Sequence, residues 1–147
     1  MTGVQTCALP ICTTVWWPPS ARDKGEHEDG VVVFAPAAPL NFTNVQDIIG
    51  RIRKAIATRK PAVKLLVIEA SGIIDIDYTG AQLLRRAIVE LKKRGVMVAI
   101  ARLSHEQAQR EAGRTGLVQS VGKDHVFMSV EEAVRKLGPA AGVGDFG

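Results

Sequence analysis

Six consecutive residues, Asp75-Ile76-Asp77-Tyr78-Thr79-Gly80, place two carboxylates, a phenol and a hydroxyl at the start of an amphipathic run. Three kinds of chemistry suit that set. Two aspartates two positions apart can share a hard cation, but such sites use several oxygen ligands and no third carboxylate is close. Paired carboxylates can work as general acid and base, but no histidine sits beside them in the chain. A phosphate on a hydroxyl at a helix N-terminus is well placed, because unpaired backbone N–H groups favour anions there. The plainer alternative is helix capping by Asp77 or Thr79, with Thr79 and Gln82 at capping-box spacing. Capping and a switch are compatible. Thr79 is therefore the candidate for regulatory modification. Asp75, Asp77, Tyr78 and Gly80, with Gln82, Arg85 and Arg86 on the helix that follows, form the candidate partner-binding surface. No catalytic residue, metal ligand or cofactor is assigned, and the chain reads as a non-enzyme.

Other reactive residues make a weaker case. His27, His105 and His125 are scattered with no metal-ligand spacing, and they read as surface residues. Ser71-Gly72 after an apolar run is neither of the glycine-rich phosphate motifs. A nucleotide-binding or hydrolysing α/β protein is a third reading, weakened by that missing loop. Both cysteines, Cys7 and Cys12, lie in residues 1–12, and Met1 to Ile11 resembles the in-frame translation of a sequencing-library adapter. On that expectation residues 1–12 are an artefact to be set aside, and the cysteine spacing argues for neither a disulfide nor a metal.

The elements that must position the loop follow from periodicity. Val31 to Phe34 is a β-branched strand, and Leu40-Asn41-Phe42 a second strand edge beyond Pro36 and Pro39. Thr43, paired with Gln46, is expected to cap a helix carrying Val45, Ile48, Ile49, Ile52 and Ile56, ended by Pro61. Val63 to Ala70 is a near-continuous apolar run, as in a central strand covered on both faces. Thr79 to Arg94 reads as the second helix, stopped by Gly95. Val96 to Ala101 reads as another strand. A third helix is expected from a Ser104 cap to about Thr115, closed by Gly116, with only Ala108 and Ala112 on its apolar face. Val126-Phe127 is a short edge strand, and Ser129 with Glu132 caps a last helix ending at Gly138. Strands alternating with helices predict a single α/β domain with a mostly parallel central sheet.

Composition fits one ordinary folded domain: 46% hydrophobic and 23% charged residues in a 147-residue chain. Apolar runs fall short of the roughly 20 residues of a membrane span. Residues 13–29, with Trp16-Trp17-Pro18-Pro19, read as a linker; 30–137 as the domain; 138–147, rich in glycine and alanine, as a disordered tail. The net charge of the whole chain is +4, but residues 30–137 hold 17 Lys and Arg against 10 Asp and Glu. That balance suits solvated helix faces, an acidic partner, an anionic membrane face or nucleic acid. Few aromatics interleave with the basic residues, so no base-stacking platform supports nucleic-acid binding.

The loop Asp75–Gly80, then Val96–Arg102, Thr115-Gly116-Leu117 and Asp124-His125-Val126-Phe127 together resemble a STAS domain over residues 30–137. That family includes the C-terminal cytoplasmic parts of SulP-type sulfate transporters and the bacterial anti-sigma-factor antagonists. Asp-Ile-Asp-Tyr-Thr-Gly is similar to the transporter form of the loop, as are the Asp-His-Val-Phe segment and the Trp-Pro-Pro linker. The resemblance implies a regulatory interaction module, the C-terminal fragment of a SulP-type anion transporter at the cytoplasmic face of a membrane. Its implied partners are the transporter's own membrane domain or a cytosolic protein, with a homodimer of the full-length protein a further option and nucleic acid not among them. The alternative it implies is a free-standing antagonist acting by partner switching, in which Thr79 matches the phosphorylated serine, Asp77 the loop aspartate and Gly80 the loop glycine. Tyr78 departs from the small hydroxyl residue usual at its position, which sets a ring in the middle of an antagonist's docking surface.

Overall fold

A computed structural model describes residues 12–13, 29–59 and 62–138. Four strands, β2 (Val31–Ala35), β3 (Leu65–Glu69), β4 (Met97–Ala101) and β5 (Val126–Phe127), lie side by side in sequence order, all parallel. A two-residue strand β1 (Cys12–Thr13) pairs antiparallel with the outer edge of β2. The expected single α/β domain is therefore present. The linker beyond Thr13 to residue 28 and the tail beyond Gly138 lie outside the described residues, as do Cys7, the Trp pair, His27 and Pro61.

The side-chain alternation of the strands sorts the core into two layers. Val32, Phe34, Leu66, Ile68, Val98 and Ile100 face one side. There they meet helices α1 (Val45–Thr58), α2 (Tyr78–Lys93), α3 (Glu106–Arg114) and α4 (Leu117–Val121). Val31, Val33, Leu65, Val67, Ala99 and Ala101 face the other side, covered by α5 (Val130–Leu137) through Val130, Ala133 and Val134. All five β3 residues are buried, which explains their unbroken apolar run apart from Glu69.

The helix starts differ from the expected hydroxyl caps. Thr43 does not cap α1: its hydroxyl bonds Asn41 Oδ1, which also accepts from the Thr43 and Asn44 N–H groups, and the helix begins at Val45 after Asn44. Asn41 takes this place because its short amide acceptor can bond backbone two and three residues on, as in turns that precede helices. Ser104 does not cap α3 either; His105 occupies that position with no side-chain cap. Its ring Nε2 instead lies 3.1 Å from the Ser71 carbonyl oxygen. Only Ser129 does as expected, accepting from the Glu132 N–H at 3.1 Å. Helix α1 ends at Thr58, short of Pro61. Leu40 forms an isolated parallel bridge to Ile76 rather than a strand edge. Helix α4 was not expected at all. Gly116, at φ +82°, turns the chain out of α3 and lets Leu117 and Val121 bury on the next turn.

Candidate functional site

Strand β3 delivers the loop to the sheet edge where the strands end. There Asp77 sits in extended conformation as the N-cap of α2. Its two carboxylate oxygens serve two elements: Oδ1 accepts from the Gly80 N–H at 2.6 Å, and Oδ2 from the Phe42 N–H at 3.0 Å. The backbone locks the same junction, since the Leu40 N–H donates to the Asp75 carbonyl and the Asp77 N–H to the Leu40 carbonyl, each at 2.9 Å. The capping question left open by the sequence resolves on Asp77. Thr79 is not the cap, and Gln82 does not close a box with it.

Gly80 owes its identity to crowding. A Cβ there would stand 2.9 Å from Asp77 Oδ1, 3.0 Å from the Leu40 carbonyl oxygen and 3.1 Å from Asn41 Cα. Any larger residue would press the two arms of the junction apart. Asp75 spends one carboxylate oxygen on the Ile76 N–H at 2.9 Å and is otherwise exposed. Tyr78 and Thr79, on the first turn of α2, are both exposed, and the Thr79 hydroxyl makes no hydrogen bond among the described residues. Tyr78 at 68%, Phe42 at 66% and Ile74 at 51% exposure set apolar side chains around the same loop. Phe42 and Ile74 were not singled out from the sequence. Phe42 becomes part of the site only through the long-range bond of its N–H to Asp77.

The three α2 residues expected at the partner surface divide. Arg86 is exposed. Gln82 and Arg85 turn instead to the α3–α4 corner: Gln82 Nε2 and Arg85 Nη1 both donate to the Thr115 carbonyl, at 3.1 and 3.2 Å, and Arg85 Nη1 also donates to Gln82 Oε1 at 2.9 Å. The guanidinium lies against Gly116, where a Cβ would meet Arg85 Cζ at 3.2 Å. Thr115 is itself buried, its hydroxyl donating to the Glu111 carbonyl at 2.6 Å. Gln82 and Arg85 thus hold the helix that carries the loop.

At the end of β3, Glu69 is 6% exposed and accepts from the Ser71 N–H and hydroxyl at 3.2 and 2.9 Å, with Arg102 Nε 3.7 Å away. A carboxylate within an apolar strand gave no sequence signal beyond its position. Of the other histidines, His125 Nδ1 lies 3.2 Å from the Val98 carbonyl oxygen, so its role is a bridge between β4 and the turn before β5. Among the described residues no group of three or more His, Cys, Asp or Glu could hold a metal ion.

A parallel sheet ending in an Asp-capped strand-to-helix loop that presents Tyr78 and Thr79 is the arrangement of a STAS domain. The STAS domain family model matches residues 24–133, and the chain belongs to that family. It is 33% identical over 107 residues to the probable sulfate transporter of Mycobacterium tuberculosis, covering 72% of this chain and 19% of the relative. The chain thus spans about a fifth of the curated relatives it matches. Its fold is similar to the STAS domain of a SulP transporter from Vibrio cholerae, with a TM-score of 0.63 at 20% identity over 87% of this chain and 94% of that one. A putative anti-sigma factor antagonist from Thermotoga maritima is similar too, with a TM-score of 0.62 at 17% identity over 76% of this chain and 91% of that one.

Proposed function

We propose that this chain is the regulatory, protein-interaction STAS domain of a SulP-type sulfate or anion transporter, a C-terminal fragment working at the cytoplasmic face of the membrane. The observation that carries this reading is the loop itself. Tyr78 and Thr79 stand exposed on a frame fixed by both oxygens of Asp77, so a partner or a phosphate can reach them without touching the core. The sulfate-transporter relatives supply the branch of the family. The partner surface is the loop with Arg86 and the exposed Phe42 and Ile74, and the partner is the transporter's own membrane domain or a cytosolic protein. No helix among the described residues is long and apolar enough to cross a membrane, so on this reading transport itself belongs to another part of the protein. The test is the genomic reading frame upstream of the Thr13 codon. Ten or more apolar helices in frame are expected there, and an in-frame stop followed by a ribosome site would overturn the reading.

The second reading, a free-standing antagonist acting by partner switching, is favoured by the unbonded Thr79 hydroxyl and the antagonist-like fold. Tyr78 at 68% exposure weighs against it, because the ring stands in the middle of the surface such a partner would cover. On either reading Thr79 is the regulated position. Thr79→Asp is expected to leave folding intact, since an acid in the first turn complements the helix dipole, while weakening a partner contact. Loss of the cooperative melt in that variant would mean the position is structural.

A further inference from the structure

The positive charge of the domain is concentrated at one end of the fold. Helices α1 and α2 connect parallel strands, so both run back against the strand direction and end at the edge where β3 and β4 begin. At that edge Gly30, Lys64 and Met97 are joined by backbone bonds: the Lys64 N–H donates to the Gly30 carbonyl at 2.7 Å, and the Met97 N–H to the Lys64 carbonyl at 2.8 Å. Lys54, Arg59, Lys64, Lys92, Lys93 and Arg94 therefore gather around one pole, opposite the Asp77 loop. All but the half-buried Arg59 are exposed, and none of the six is in an ion pair among the described residues. The acids at this end are few: Glu90 is engaged by Arg53 at 2.9 Å, Asp29 precedes Gly30 and Asp124 lies in the turn before β5.

Complementing the helix dipoles accounts for only part of this. Lys92 and Lys93 lie in the last turn of α2, where cations serve a dipole, but the last turn of α1 has no basic residue and Lys64 precedes a strand. We propose that this basic pole docks on an anionic phospholipid surface. Lys92 Nζ donates to the Ser120 carbonyl at 3.1 Å, but long Lys and Arg side chains outside ion pairs suit headgroups that offer charge without fixed geometry, and each cation near such a surface strengthens binding roughly five-fold. Met97, 38% exposed, adds an apolar side chain at the same edge. None of the six basic residues has an aromatic neighbour in the chain to stack a base, which favours lipid over nucleic acid. The inference stands on charge placement, so it holds whether the chain is a transporter's domain or a free antagonist.

The test is co-sedimentation of the full chain with phosphatidylcholine vesicles, with and without phosphatidylserine, at low and raised salt. Binding to the serine-containing vesicles alone is expected, falling steeply with salt. Lys93→Glu with Arg94→Glu should weaken it by roughly 25-fold or more. Arg110→Glu with Ser104→Glu and Gln107→Glu, an equal charge change on exposed positions at and beyond the other end of β4, should alter it by no more than about two-fold, and far-ultraviolet melts establish that both variants fold. Equal binding to neutral vesicles, an equal loss in the two variants, or displacement by duplex DNA at matched phosphate concentration would each overturn the proposal.

Discussion

Asp77 shows how one side chain can make a loop both rigid and exposed. Its carboxylate satisfies the Gly80 N–H, which α2 leaves open at its start, and the Phe42 N–H, which belongs to the segment before α1. Removing both acceptors should therefore cost more than an ordinary cap. We predict that Asp77→Ala lowers stability by about 1–3 kcal/mol in urea denaturation, and that Asp77→Asn, which keeps one acceptor, recovers part of the loss. If Asp77→Ala leaves the midpoint unchanged, the junction does not depend on this side chain. Neighbouring Thr79 has the opposite character: it holds nothing in place, so its substitution should register in binding rather than in stability.

At the level of elements, adjacent arginines on α2 separate support from surface. Arg85 packs on Gly116 and donates to the Thr115 carbonyl, whereas Arg86 projects into solvent. We predict that Arg85→Ala destabilises the domain by about 1–2 kcal/mol through the lost bond and packing, while Arg86→Ala stays within about 0.5 kcal/mol. Equal thermal shifts would refute the distinction. Sequence could not divide the pair, because residues one apart on a helix differ in direction but not in composition. What lies opposite each depends on where α3 and α4 pack. The strands were legible for the converse reason: Leu65 to Ile68 is apolar throughout because both faces of β3 are covered, and that is a local pattern. The capping positions misled where several hydroxyls and amides competed. Asn41 displaced Thr43 by a bond network that spacing cannot reveal. Helix α4 was missed because five residues with two buried positions carry too little periodicity to register. The candidate loop was read correctly as a strand-to-helix turn, but its tie to Phe42 spans 35 residues of chain and belongs to the tertiary fold.

Across the whole molecule, the parallel sheet sets two unlike poles apart. The strand-end pole carries Asp75, Asp77, Tyr78 and Thr79, and the strand-start pole carries the basic cluster. A five-residue strand spans roughly 16 Å, and screening at physiological salt acts over about 8 Å. A charge added at one pole should thus be nearly invisible at the other, unless the sheet transmits a structural change. The buried β3 that joins them, apolar from Leu65 to Ile68, is paired residue by residue with β2 and β4. A domain built this way can hold a surface with one end and read a partner with the other. We predict that Thr79→Asp leaves affinity for phosphatidylserine vesicles within about two-fold of the parent chain, while Lys93→Glu with Arg94→Glu abolishes most of it. Vesicle titrations of the two variants and the parent in one buffer make the comparison. A loss in Thr79→Asp as large as in the double variant would mean that the poles are coupled, and that modification of the loop also releases the basic end.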